Sequence, residues 1–312
     1  MTGKSGCRYT LLCIGLIAAC MAGCGAVGGS AGTEENIKAE EGTASAGENE
    51  TKDETLTGQA QEAESTGEDI TFEGISLSIF GDSISTYEGY IPEGFAVFYP
   101  SAGEVTRVSQ TWWMQLLDDT GMELCSNDSS SGSTCVGDSL GIDEPKYGCS
   151  SYRVSSLTGA QGRIPDVIII YMGTNDLMNH VPLGDNDGTE PVEEGMIENF
   201  SDAYCLILDK VQSDYPVARI YCCTLTTIGQ RNWESNDQPY VTFTNELGLT
   251  SEDYSERIET IAKNKGVPVI DLYHCGIEIN NLHVMTSDGV HPTPDGMECV
   301  EQAVLDGIKN MQ

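Results

Sequence analysis

Four short clusters in this 312-residue chain contain residue types that could do chemistry together. They are Gly81-Asp82-Ser83, the run Asn127-Asp128-Ser129-Ser130-Ser131-Gly132, Gly173-Thr174-Asn175-Asp176, and Asp288-Gly289-Val290-His291. A serine hydroxyl attacks a carbonyl only when a base removes its proton, and that base needs a third group to fix its tautomer. Ser83 is the candidate nucleophile and His291 the candidate base. Asp288, three residues earlier on the same turn, can accept from the imidazole Nδ1–H. A tetrahedral intermediate also needs donors aimed at its oxyanion. The backbone N–H groups of Ser83 and Gly132 and the side-chain amide of Asn175 are of the right kind. Together these parts suffice for acyl transfer through a serine ester, a reaction that calls for no cofactor. No pair of C-x-x-C motifs is present, so no metal is expected.

Chemistry of this kind needs rigid elements to carry it. From residue 70 onward, short apolar runs alternate with longer helical stretches, the pattern of a parallel sheet with crossover helices. Strands are expected at Ile75–Phe80, Met122–Ser126, Pro165–Met172, Ala218–Leu225 and Val267–Leu272. Pro165–Met172 is apolar on both faces, as a central parallel strand must be. Helices are expected around residues 110–117, over Met196–Ser213, over Glu252–Lys265, and from a Thr293 cap followed by Pro294. The result is an α/β fold, a three-layer α/β/α sandwich on a parallel five-stranded sheet. All four clusters follow strands, and ligands bind beyond the carboxyl ends of strands in such sheets. Two long polar insertions, Thr86–Arg107 and Gly229–Thr250, interrupt the rhythm, and loops of that length are commonly functional.

Other residues compete for roles. Gly137-Asp138-Ser139 repeats the first tripeptide, but it follows no apolar strand. His180 could line the cleft or be a solvated loop residue, whereas His274 and His283 flank the fifth strand and suit structural hydrogen bonds. Asp82 and Asp176 invite a role as general acids, against which stands the commoner one of accepting the backbone N–H groups that hold their turns. At least one of Trp112 and Trp113 belongs to the core. Trp233 and Tyr240, in the second insertion, are placed to stack on a sugar ring, and with His180 they form the expected substrate-binding set.

The formal charge is −34. Twelve of the 49 acidic residues precede Ile70, and the other 37 face 11 Lys and Arg, which leaves region 70–312 near −26. Such a field repels phosphate backbones and anionic lipid, and so excludes nucleic acid as a partner. Residues 1–24 read as an export leader: Lys4 and Arg8 precede the apolar run Leu11–Ala19. Met21-Ala22-Gly23-Cys24 resembles the lipobox of bacterial lipoproteins, with Cys20 as a second candidate for lipidation. Residues 25–69, rich in Gly, Ser, Thr and Glu, cannot bury enough apolar surface to fold and form a tether. Region 70–312 is then the catalytic domain, held at the extracellular face of the membrane by an N-terminal lipid anchor or else secreted. Export permits disulfides. A Cys125–Cys135 bridge is open, and Cys222-Cys223 read as buried thiols.

Gly81-Asp82-Ser83, Gly132, Gly173-x-Asn175-Asp176 and Asp288-x-x-His291 resemble, in order and spacing, the four blocks of the SGNH (GDSL-like) hydrolase family, over residues 75 to about 300. The resemblance implies a flavodoxin-like sandwich and metal-free ester hydrolysis. It also implies a Ser83–His291–Asp288 triad with an oxyanion hole of Ser83, Gly132 and Asn175. Gly137 is the alternative for the loosest block, that of Gly132. Cell-surface members resemble polysaccharide deacetylases. The expected substrate is therefore a small acyl ester, an acetylated glycan first, with lysophospholipase or thioesterase activity as the enzymatic alternative. A non-catalytic glycan-binding lipoprotein on the same scaffold is the alternative from another class.

Overall fold

In β1 (Ser76–Gly81) all six residues are buried, and β3 (Val167–Tyr171) is the equally buried run Val-Ile-Ile-Ile-Tyr. Strands that are apolar on both faces must be covered on both, which places these two at the centre of a sheet. The computed structural model describes residues 72–311, apart from 143, 144 and 236. The expected leader, the tether and the rival lipidation sites Cys24 and Cys20 lie outside the described residues. The remaining strands of the main sheet are β2 (Glu123–Ser129), β4 (Arg219–Cys223) and β5 (Val269–Ile270). Their order is β2-β1-β3-β4-β5 and every pair is parallel. This is the flavodoxin-like order, with its switch point between β1 and β3.

The helices are α1 (Trp112–Thr120), α2 (Ser151–Ser155), α3 (Thr174–Met178), α4 (Phe200–Asp214), α5 (Ser251–Asn264), α6 (Leu282–Met285) and α7 (Pro294–Asn310). Helix α1 packs on α7, and α4 packs on α2 and α5, which supplies the two outer layers of the sandwich. Both Trp112 and Trp113 are fully buried. Their indole N–H groups donate to Ser85, to Oγ at 3.1 Å and to the carbonyl at 3.0 Å, and so tie α1 to the turn that follows β1. Helix α7 starts as its sequence dictates: the Thr293 hydroxyl accepts from the Gly296 N–H, and Pro294 occupies the first turn.

Three local expectations change. The helix expected from Met196 begins at Phe200, because the Asn199 side chain caps it by accepting from the Asp202 N–H. Met196–Ile197 instead pairs antiparallel with Gly137–Asp138 as a separate two-stranded ribbon. Strand β2 runs three residues past the expected Ser126, to Ser129, because it keeps pairing with β1 up to Gly81. The second insertion contains a hairpin, Gly229–Arg231 with Tyr240–Thr242. Cys125 and Cys135 are not bridged: the Cys125 thiol donates to the Arg163 carbonyl, whereas Cys135 is buried with its N–H on Asp176. Cys222 and Cys223 are buried free thiols, as expected.

Candidate active site

Strand β1 delivers Ser83 into a tight turn. Gly81 is required there, since a Cβ would lie 2.7 Å from Ser129 Oγ and 2.8 Å from Ser85 Cβ. The Asp82 carboxylate accepts from the Ile84 N–H at 3.1 Å and holds Ser83–Ser85 in a single helical turn. From the far end of the sequence, 208 residues away, His291 Nε2 reaches Ser83 Oγ at 2.9 Å. His291 Nδ1 lies 2.7 Å from Asp288 Oδ2, while Asp288 Oδ1 accepts from the N–H groups of Val290 and His291 at 3.0 and 2.8 Å. With its proton on Nδ1 facing Asp288, the imidazole leaves Nε2 free to accept the serine hydroxyl. Burial pushes the Asp288 carboxyl up, but the hydrogen bond and charge of His291 and the two backbone donors outweigh it and hold the carboxyl below its ordinary range.

The turn that carries Asp288 is braced by the second insertion. Gly289 has φ +92°, and a Cβ there would meet the Gly229 carbonyl oxygen at 2.3 Å. The Gly229 N–H donates to the Gly289 carbonyl at 2.9 Å. Tyr240 is buried, with its ring edge 2.7 Å from that same Cβ position. Its expected place on a sugar-stacking surface is thus taken by a place beneath the Asp288 turn. Trp233, at the tip of the hairpin, is 87% exposed, with the Arg231 guanidinium over its ring. His180 is exposed, and its Nδ1 accepts from the Glu246 N–H at 3.3 Å.

Three donors are available for an oxyanion. Among the described residues, the N–H groups of Ser83 and Gly132 have no protein acceptor. Asn175, on the first turn of α3 after β3, gives one amide hydrogen to the Ser133 carbonyl at 3.0 Å and keeps the other. Gly132 adopts φ +77° with nothing within 4 Å of its Cβ position, so here glycine serves conformation rather than space. Gly137 is paired with Ile197 in the ribbon and covered by the Tyr147 ring. The rival serine, Ser139, is fully buried, and its Oγ accepts from the Gly195 N–H. His274 repeats the His–Asp geometry, with Nδ1 2.7 Å from Asp271 Oδ2, but its ring otherwise meets the edge of Tyr273, and among the described residues no serine hydroxyl bonds to it.

Residues that sequence reasoning passed over complete the site. Phe98 and Tyr99 come from the first insertion. Phe98 stacks flat on the His291 ring at 3.6 Å between centroids, and the Tyr99 hydroxyl donates to the Pro292 carbonyl at 3.2 Å. The Phe98 N–H donates to Thr86 Oγ1, whose hydroxyl donates in turn to the Ser83 carbonyl. A single loop therefore touches both Ser83 and His291. Beneath the Ser83 turn lies the fully buried Arg153. It pairs with Asp128 at 2.7 Å and donates to the carbonyls of Gly81, Asp128 and Pro145. Clustered aromatics in the first insertion were the available signal for Phe98; nothing in the sequence marked Arg153.

Buried carboxyls surround this centre. Burial raises Asp176 to about 7, against the N–H groups of Cys135 and Val136 that it accepts. Burial likewise raises Asp82 and Asp128 to about 6 each. Among the described residues no cluster of His, Cys, Asp and Glu could hold a metal ion.

Residues 75–239, more than half of the chain, match the GDSL-like lipase/acylhydrolase family. The match covers Ser83, Gly132 and Asn175 and stops before Asp288 and His291. A candidate GDSL-like lipase from Bacteroides uniformis is 26% identical, aligned over 76% of this chain and 97% of its own, with a TM-score of 0.55. Another from Bacteroides ovatus is 25% identical over 77% of this chain and 100% of its own, also at 0.55. A Lactobacillus plantarum protein at 20% identity shares the fold, at a TM-score of 0.55 over 77% of this chain and 99% of its own. No curated protein matches. The chain belongs to the GDSL-like lipase/acylhydrolase family, and so to the ester hydrolases.

Proposed function

We propose that the protein is a carboxylic ester hydrolase that works through a Ser83 acyl-enzyme. The observation that carries this is the continuous relay from Asp288 Oδ2 to His291 Nδ1 at 2.7 Å and from His291 Nε2 to Ser83 Oγ at 2.9 Å. His291 takes the Ser83 proton as Oγ attacks the ester carbonyl, and Asp288 holds the ring and offsets its positive charge. The N–H groups of Ser83 and Gly132 and the free Asn175 amide hydrogen receive the oxyanion. His291 then protonates the leaving alcohol, and water, activated by the same imidazole, releases the acid.

For the alcohol we propose a neutral, bulky one, a carbohydrate hydroxyl bearing a short acyl group. The net charge of −34 disfavours anionic lipid, and the side chain of Asp288 is half-exposed, which leaves the imidazole side of the site open. The test is hydrolysis of p-nitrophenyl acetate by the full chain and by Ser83→Ala, followed by acetate release from acetylated xylan. Equal rates for the two proteins would remove the serine-esterase assignment and favour a binding protein on this scaffold. We also propose lipidation at Cys24, on the strength of the leader alone; labelled palmitate retained by Cys24→Ala would move it to Cys20.

A further inference from the structure

Cys275 lies on the turn after β5, where its N–H donates to the Leu272 carbonyl at 3.3 Å, and Cys299 lies in the second turn of α7. Both thiols are free and half-buried, and both line one hollow of about 620 Å³ beside that turn and the helix. Cys299 Sγ is 4.0 Å from the place a Cβ on Gly276 would take, and Gly276 is the residue next to Cys275. Consecutive Cα atoms are about 3.8 Å apart, so Cys299 Sγ sits beside the Cys275 backbone, and rotation about χ1 is the movement left for the two sulfurs to meet. The thiols also act on each other: burial pushes Cys275 up to about 11, and the charge of Cys299 adds to the rise. Five of the other six described cysteines are buried, and the sixth, Cys125, is held against Gly159 and the Arg163 carbonyl. Cys275 and Cys299 are thus the two half-exposed thiols that a reagent reaches together.

Residues 276–298 run between the two thiols and carry α6, Asp288, His291 and the Thr293 cap. We infer that Cys275 and Cys299 form a disulfide on exposure to a disulfide oxidant, and that the bridge clamps the segment that presents His291 to Ser83. The thiolate of one cysteine attacks a sulfur of the oxidant and expels one thiol. The other thiolate attacks the mixed disulfide and expels the second. Two electrons pass to the oxidant, and the two cysteine protons end on the thiols released. Burial, with Glu298 and Asp295 beside Cys299, keeps both thiols above their ordinary range, so little thiolate is present and the bridge forms slowly. The same property makes each sulfur a poor leaving group, so the bridge resists reduction once made. Closing residues 276–298 into a loop restricts the unfolded chain and so favours the folded one. The export proposed from the leader would supply the oxidising setting.

The experiment incubates the reduced, folded full chain with hydroxyethyl disulfide, caps the remaining thiols with a maleimide, and digests with a protease that cuts before aspartate. Asp271–Ser287 should then be joined to Asp295–Leu305 in one product that a reductant separates. The melting temperature should rise by roughly 5 °C or more, and the rise should vanish in Cys275→Ser and in Cys299→Ser. Finding the two peptides apart, each carrying maleimide or the reagent, would overturn the inference without any variant having to fold. A joined product with no rise in melting temperature would overturn the clamp. Peptide mapping and melting report on the bridge whether or not esters are hydrolysed. Failure of the serine-esterase assignment shows separately, as absent turnover and no fluorophosphonate label on Ser83.

Discussion

Phe98 lies face to face with the imidazole of His291, with ring centroids 3.6 Å apart and planes within 10° of parallel. An aromatic face stabilises a cation above it by about 0.5–2 kcal/mol, and stacking fixes ring orientation. In the proposed mechanism the imidazolium exists only after Ser83 gives up its proton, so the gain falls in the transition state and not in the ground state. Phe98→Ala should therefore lower kcat by roughly 3- to 30-fold with little change in KM, while Phe98→Tyr retains most of the rate. Steady-state kinetics on p-nitrophenyl esters checks this. A rise in KM at constant kcat would instead make Phe98 a substrate contact.

The proposed oxyanion donors differ in how they fail. Asn175→Ala removes a side-chain donor and should cost about a hundredfold in kcat with the fold intact. Gly132→Ala meets no atom within 4 Å, yet its φ of +77° costs a side chain about 1–2 kcal/mol. The loop should relax and swing its N–H away, so that activity falls without a large change in melting temperature. Parallel kinetics and calorimetry separate loss of a donor from loss of structure.

Stability should decline as pH rises through neutrality. Asp176 is raised to about 7 and Asp82 to about 6 from an ordinary 3.8, chiefly by burial. Folded carboxyls that hold protons more tightly than unfolded ones stabilise fully below pH 3.8, and the contribution is lost as pH rises through about 6 and 7. Thermal unfolding should show a melting temperature lower at pH 8 than at pH 5, by roughly 5 °C or more. Asp176→Asn should make that slope shallower, even though it forfeits one of the two backbone hydrogen bonds.

Arg153 should be the most sensitive stability position in the site region. Its removal strands the Asp128 carboxylate in the interior and takes a donor from the carbonyls of Gly81, Asp128 and Pro145. Breaking a buried pair from one side costs about 3–5 kcal/mol, so Arg153→Met should lower the melting temperature by roughly 10 °C. Arg153→Lys should rescue little, because three donors on a point charge cannot serve four acceptors held by a planar fork. Recovery by lysine would show that charge alone matters there.

The sheet and the four clusters were legible because each depends on neighbours in sequence. An apolar run such as Val167–Tyr171 announces a buried strand, and Thr293-Pro294 announces a helix start. Asp288 and His291 meet within one turn, so their spacing already carried their geometry. What escaped was set across the fold. Phe98 reaches His291, and Arg153 reaches Gly81, by contacts between distant segments that leave no periodic trace. Tyr240 looked like a platform because an aromatic residue in a polar insertion is ambiguous until one knows that the insertion folds back on Gly289. Met196–Ile197 continued the apolar pattern of α4, and only the Asn199 cap and pairing with Gly137–Asp138 separate it from that helix.

His291 stands two residues ahead of the Thr293 cap, and the helix that follows, α7, is held by α1 and β5. Synthesis proceeds from the N-terminus, so Ser83 emerges long before the segment that carries His291. On the proposed mechanism a nascent or truncated chain carries Ser83 without a seated base and should stay chemically silent. Onset of ester turnover during refolding would thus time the docking of the last helix and mark the moment at which the whole domain has closed.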